Sequence, residues 1–178
     1  DPIWSESQEN SLYFKSIRDG YEGIYQLNMT DSLVGLISVA GGNSSIARTV
    51  PSQNKVSFVR FYEGKYTLML FDEETRSTSE LLVSESPIEA YTWSKKGDHI
   101  ALDLDGSIQV YIYGQGKAVL KENIANGEFP YWGHSGLTLF YNLNDDNGAQ
   151  IFKFNLLDDT VIPVSPASMN AYNPIPLY

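Results

Sequence analysis

Two histidines, His99 and His134, and a hydroxyl between glycines at Gly133-His134-Ser135-Gly136 are where this chain could hold a metal or a nucleophile. Either chemistry needs imidazole, carboxylate or hydroxyl groups converging on one reacting atom. His99 and His134 fall in equivalent turns of neighbouring repeats, which keeps them apart, so a turn role is expected of both. The Gly133 segment lacks the second glycine of a Gly-x-Ser-x-Gly elbow, position 137 being Leu137, and a strand repeat offers no strand-to-helix turn to expose the serine. Cysteine is absent, which removes a disulfide framework, a thiolate zinc site and a cysteine nucleophile together, without fixing the compartment. Asp103-Leu104-Asp105-Gly106 and Asn144-Asp145-Asp146-Asn147-Gly148 carry the oxygens calcium favours. Neither supplies the distal bidentate carboxylate of a calcium loop, and Asx-Gly pairs are what tight hairpins use. The expectation is a non-enzymatic chain with no catalytic residue, metal or cofactor.

Composition bounds the partners. The chain has 178 residues, with 12 Lys+Arg against 22 Asp+Glu for a formal charge of -10. That field repels phosphate backbones and anionic lipid, and no basic cluster reverses it, so direct nucleic-acid binding is not expected. No apolar run approaches the roughly 18 residues of a spanning helix, and no leader-like stretch precedes Asp1, so the segment is expected to be soluble, without membrane insertion. Its abrupt start at Asp1-Pro2-Ile3-Trp4 reads as a processed or excised piece. Aromatics at 13%, with 12 Tyr, against 19% charged residues favour strands, because rings pack well on a pleated, half-buried surface.

The elements that must position these residues follow from a repeat. Four segments share an opening followed by an apolar strand: Trp4 to Phe14, Thr49 to Phe58, Trp93 to Leu102 and Trp132 to Tyr141. A fifth opening, Asn173-Pro174-Ile175-Pro176, echoes the first. The spacings between openings are 45, 44, 39 and 44. A period in the low forties with strand-like content is that of a four-stranded propeller blade, whereas helical repeats of this length need amphipathic helices that are missing here. The fold class expected is all-β: a β-propeller of four consecutive four-stranded antiparallel blades, part of a larger or dimer-completed propeller. The repeats run approximately 1–47, 48–90, 91–128 and 129–171, in a single domain or fragment, with 172–178 starting a further blade.

Within each repeat, strand A ends at the Trp or its equivalent. Strand B is 12–16, 56–61, 100–104 and 137–142; strand C is 24–28, 66–72, 108–113 and 150–155; strand D is 35–39, 79–83, 118–122 and 161–164. Glycine-bearing B-to-C turns at Asp19-Gly20, Glu63-Gly64, Asp105-Gly106 and Asn147-Gly148 sit where hairpins need positive φ. Loops are expected between blades, at 40–48, 84–89, 123–127 and 165–173. Trp4, Trp93 and Trp132 recur at one repeat position, which predicts inter-blade packing over a ligand cage.

The pattern Trp-Ser-x-x-Gly-x-x-Ile-Ala-Leu at 93–102, with later strands ending Ile-Tyr-Gln-Leu-Asn (24–28) and Ile-Phe-Lys-Phe-Asn (151–155), resembles the TolB-like β-propeller repeat, whose usual form is Trp-Ser-Pro-Asp-Gly-Lys-x-Ile-Ala-Phe. The resemblance covers essentially the whole chain. Only the second repeat keeps the proline (Pro51), only the third and fourth keep the glycine (Gly97, Gly136), and none has Asp directly before Gly. The resemblance implies a protein-binding or ligand-binding propeller outside the bacterial cytoplasm, periplasmic or otherwise extracytoplasmic. Similar repeats occur in the sensory segment of membrane-anchored winged-helix transcriptional regulators, and in the gating propeller of prolyl-oligopeptidase-like serine peptidases.

A site is expected on the face carrying the inter-blade and B-to-C loops, near the axis where blades converge. Arg18, Tyr21, Tyr62, Asp145 and Asp146 come there from B-to-C turns; Arg48, Tyr91 and Tyr172 come from the inter-blade side. Exposed tyrosine and arginine are the residues partners anchor on. Four blades can close alone, or two copies can complete a larger ring as a homodimer, because an open array leaves blade faces uncovered. An array that ends inside a further strand A reads as cut from a longer propeller.

Overall fold

A computed structural model of the protein describes residues 2–18, 20–145, 148–172 and 174. The chain divides into two compact units, Asp1–Pro87 and Ile88–Tyr178. Each holds two four-stranded antiparallel sheets whose strands pair in chain order, the pattern of propeller blades.

In the first unit, blade 1 is β1 (Ile3–Trp4), β2 (Ser11–Arg18), β3 (Tyr21–Asn28) and β4 (Leu33–Leu36). Blade 2 is β5 (Asn43–Val50), β6 (Lys55–Tyr62), β7 (Lys65–Asp72) and β8 (Ser77–Ser84). In the second unit, blade 3 is β9 (Ile88–Trp93), β10 (His99–Leu104), β11 (Ser107–Gly114) and β12 (Lys117–Ala125). Blade 4 is β13 (Gly127–Trp132), β14 (Thr138–Asp145), β15 (Gly148–Asn155) and β16 (Thr160–Pro163), followed by a single 3-10 turn at Ala167–Met169.

The local chemistry explains the hairpins. Glu63-Gly64 (φ 49° and 78°) and Asp105-Gly106 (φ 45° and 79°) place both central residues in the left-handed region. That is the turn whose twist matches two right-twisted strands, and glycine takes its second position without strain. Most B and C strands run one to three residues beyond their sequence-predicted ends, whereas the D strands of blades 1 and 4 stop early, at Leu36 and Pro163; strand A ends at Trp4, Val50, Trp93 and Trp132, at or one residue past the repeat's opening position.

Alternation supplies the core. In the first unit Tyr13, Ile24, Ile37, Val56, Phe58, Met69 and Phe71 interlock between the two sheets; in the second, Ala101, Ile108, Val110, Trp132, Leu139, Tyr141 and Phe154 do the same. Each large side chain taken fully out of water contributes about 1.5–3 kcal/mol, so every blade is held by the face of its neighbour.

Two expectations need correction. The inter-blade loops are far shorter than the Gly/Ser/Asn runs suggest: β5 begins at Asn43, and only Asn126 separates β12 from β13. β5 absorbs irregular residues as a bulge at Ile46 (φ 52°), so pairing continues through what reads as loop, and β13 carries a like bulge at Phe129 (φ 52°). The tryptophans also divide. Trp93 and Trp132 are buried, and the Trp132 indole donates to the Thr92 carbonyl of the preceding blade at 3.0 Å; Trp4 is 62% exposed. β1 is a two-residue strand at the edge of its sheet.

Candidate functional site

In the first unit the B-to-C turns and the inter-blade connection meet on one face. Asn43, at the start of β5, accepts the Glu22 backbone N–H of β3 at 3.1 Å, tying the inner strand of blade 2 to the B-to-C end of blade 1. Arg18 and Tyr21 stand opposite each other across their hairpin, and the Arg18 guanidinium lies 4.9 Å from the Tyr25 ring centre. Arg60 lies 4.4 Å from the ring of Tyr62, and Phe61 packs on Tyr66 at 4.7 Å. Gly42 lies against this pair so closely that a Cβ would fall 2.9 Å from Arg60 Nε. Ile17, Phe61 and Tyr62 are exposed beside the arginines. Arg48 donates to the Ala47 carbonyl at 3.0 Å, and its own carbonyl accepts Ser57 Oγ at 3.1 Å. Arg18, Tyr21 and Tyr62 therefore share a face in this unit.

The second unit treats its candidates differently. Tyr91 is 3% exposed and belongs to the packing of β9, not to a surface. Tyr172 is exposed beyond the 3-10 turn. Asp145 ends β14; its side chain, with Asp146, Asp19 and Asn147, lies outside the described residues. The polar group that geometry selects here is Asp103, which is buried and accepts the Phe129 backbone N–H at 2.9 Å. Burial pushes its carboxyl above the usual aspartate range; the Phe129 bond opposes that, and the charges of Glu128 and Glu89 add to it.

The histidines take turn roles. His99 Nδ1 lies 2.9 Å from Asp98 Oδ1, and its ring packs 5.8 Å from Trp132. Asp98 is held below the usual range: burial pushes it up, but bonds from His99 and Ser94 more than offset this. His134 lies 3.4 Å from Lys95. The Gly133-His134-Ser135-Gly136 segment closes on itself, Gly136 N–H donating to the Gly133 carbonyl at 2.9 Å between two strands. Among the described residues no three His, Cys, Asp or Glu side chains come together as a metal would need, and no helix is long and apolar enough to cross a membrane.

A second constellation in the first unit, on the opposite edge, escaped the sequence reading. Glu73, buried in the C-to-D turn of blade 2, accepts hydrogen bonds from Ser5 (2.8 Å), Ser7 and Tyr13 of blade 1. Burial and the Glu73 carboxylate push the Tyr13 phenol far above its ordinary value. Beside it, Arg76 donates to Gln26 and lies over the Phe71 ring, and Gln26 in turn donates to Gln8 at 2.7 Å. An open cavity of about 320 Å³ adjoins this network, lined by Gln26, Asn28, Asp31, Leu33, Val34, Gly35 and Arg76. The only available signal was Arg76 itself, the one arginine in any C-to-D turn.

Neither a family model nor a curated protein sequence matches the chain. Solved structures do. TolB from Acinetobacter baumannii aligns with a TM-score of 0.62 at 19% identity, over 87% of this chain and 41% of that one. A Mycobacterium tuberculosis puromycin-hydrolyzing peptidase aligns with a TM-score of 0.73 at 15% identity, over 93% and 30%. The β-propeller domain of the Trilobed protease from Pyrococcus furiosus aligns with a TM-score of 0.65 at 12% identity, over 88% and 53%. The chain thus spans between three tenths and about half of these proteins. The likeness is one of fold, a TolB-like β-propeller.

Proposed function

We propose that the chain is a non-catalytic binding module that docks a protein or small ligand on its B-to-C and inter-blade face, with Arg18, Tyr21 and Tyr62 as anchors in the first unit; Arg48, within β5 opposite Ser57, stands away from that face. The observation that carries this is the pair of ring-stacked guanidiniums, Arg18 on Tyr25 and Arg60 on Tyr62, beside exposed Ile17, Phe61 and Tyr62. Rigid arginine and aromatic groups beside accessible apolar surface are what interface hot spots are made of, because little rotamer entropy is left to lose. In this reading the two units form one propeller domain, alone or completed by a second copy. It serves as the extracytoplasmic sensory or scaffolding segment of a larger bacterial protein such as a membrane-anchored regulator.

A second reading is favoured by the two peptidase neighbours: the chain as the propeller portion of a serine peptidase whose catalytic domain lies outside it. Under both readings the chain itself hydrolyses nothing, so turnover of a peptide substrate by the purified chain overturns both. A photo-crosslinking residue at position 62 is expected to capture a discrete partner, with Arg18→Ala weakening the capture, while the same residue at Glu80 on the outer strand β8 captures none. Equal capture from both positions would rule out this face.

A further inference from the structure

We propose that the cavity at the C-to-D edge of the first unit binds a zwitterion of dipeptide size, its carboxylate on Arg76 and its ammonium on Asp31. This site is separate from the face described above and does not depend on it. Three observations lead to it.

The first is an arginine that is oriented but not neutralised. Gln26, itself held by Gln8, accepts from Arg76 Nη1, and the guanidinium lies 4.9 Å from the Phe71 ring centre. Among the described residues no carboxylate lies within 4.0 Å of it. Two of its five N–H groups at most are engaged by Gln26, and a guanidinium with a free fork recognises a carboxylate with two parallel bonds.

The second is an anion on the same cavity wall. Asp31 Oδ1 accepts the Leu33 N–H at 3.0 Å in its own turn, and among the described residues no cation lies within 4.0 Å of it. Asp31 and Arg76 both line the cavity without reaching each other. The same cavity is lined by Leu33 and Val34, both exposed, and by Gly35, which stands opposite Gln26 in the sheet. A Cβ on Gly35 would lie 3.9 Å from Arg76 Nη2, so the glycine leaves the space before the guanidinium open.

The third is the balance of charge and volume. A chain of net charge -10 repels a simple anion at long range, whereas a zwitterion approaches without that penalty and still meets both groups at short range. A cavity of about 320 Å³ is at the small end of ligand pockets, which suits two residues better than a long peptide. The apolar body of such a ligand would rest on Leu33 and Val34.

The test is a titration of the intact chain with Ala-Leu, followed by backbone amide chemical shifts and by calorimetry. Saturable binding is expected, with shifts centred on Gln26, Leu33, Val34 and Arg76. N-acetyl-Ala-Leu, Ala-Leu amide and free leucine should each bind more weakly, roughly tenfold or more for the two probes that lose a charge. Arg76→Gln should erase the preference for a free carboxylate. Asp31→Asn, which keeps the acceptor for Leu33 N–H, should erase the preference for a free ammonium. Absence of saturable binding, indifference to either capped end, or leucine binding as tightly as Ala-Leu would each overturn the proposal.

Discussion

Asn142 provides the sharpest test of how this repeat is built. It stands three residues beyond Leu139, the residue of β14 opposite Trp132; the same step from Val56 in blade 2 reaches Val59, and from Ile100 in blade 3 it reaches Asp103. All three are buried, Asn142 completely. Asp103 has its partner in Phe129, and Val59 needs none, but neither the oxygen nor the nitrogen of the Asn142 amide has a hydrogen-bond partner among the described residues. Asn142→Val therefore imports the solution blade 2 already uses. It removes two unsatisfied buried polar atoms, whose burial costs about 1–3 kcal/mol, and puts a β-branched residue in the interior of a strand. For a unit of roughly 90 residues, each kcal/mol moves the midpoint by about 4–8 °C. The assay is thermal and urea unfolding followed by tryptophan fluorescence in a Trp4→Phe background, so that buried Trp93 and Trp132 report on the second unit alone. Asn142→Val should raise both midpoints with an unchanged urea slope, and Asn142→Asp, which buries an unpaired charge, should lower them. A lower midpoint for the valine variant would mean that the amide is satisfied and that the repeat equivalence misleads.

Two further predictions concern the buried carboxylates. Tyr13→Phe removes one of the donors to Glu73 and leaves Ser5 and Ser7 in place, so the first unit should lose about 1–2 kcal/mol in urea unfolding; no loss would mean that this link between its blades contributes nothing. Because the folded Tyr13 phenol titrates above its unfolded value, its contribution is present at neutral pH and declines as pH rises past about 10, a decline that Tyr13→Phe should reduce. Asp103 works in the acid range: its folded pKa is raised, so the folded unit holds the proton more tightly, and Asp103 adds stability as pH falls through the window just above the ordinary aspartate value. Asp103→Asn keeps an acceptor for Phe129 and should flatten that part of the pH profile of the second unit, whereas an unchanged profile would show that burial does not govern this carboxyl.

The fold was legible because its signals are local. A tryptophan or its equivalent closing strand A, alternation in the next two strands, and a glycine after Asp, Glu or Asn at the hairpin need no knowledge of what lies across the sheet. Features set by neighbouring blades were not legible. Trp4 and Trp132 hold the same repeat position, yet one is exposed and the other is buried and donates to the Thr92 carbonyl of the blade before it in the same unit. Ile46 sits in a stretch that looked like loop, since a bulge is specified by pairing across the strand and not by the Gly, Ser and Asn around it. On the predicted face, Arg18, Tyr21 and Tyr62 could be placed from their hairpins alone, while the burial of Tyr91 depends on what packs over β9.

The Arg76 cavity marks the same limit from the other side. Its wall joins the C-to-D turn of blade 2 to the outer strands of blade 1, about fifty residues earlier in the chain. Read in order, Glu73-Glu74-Thr75-Arg76 is an ordinary polar turn. What distinguishes it is that the Glu73 oxygens are taken by Ser5, Ser7 and Tyr13 and form no ion pair with the arginine three residues later, while Gln26, a neutral partner, orients that arginine. The division of labour has a physical basis: a buried carboxylate is stable only if its donors satisfy it, and one spent on hydroxyls leaves the neighbouring cation available to a ligand. Because the blades are held by apolar faces repeated in every unit, a single turn can carry such an unneutralised charge without endangering the fold, and sites of this kind are to be sought at the turns where one repeat departs from the others.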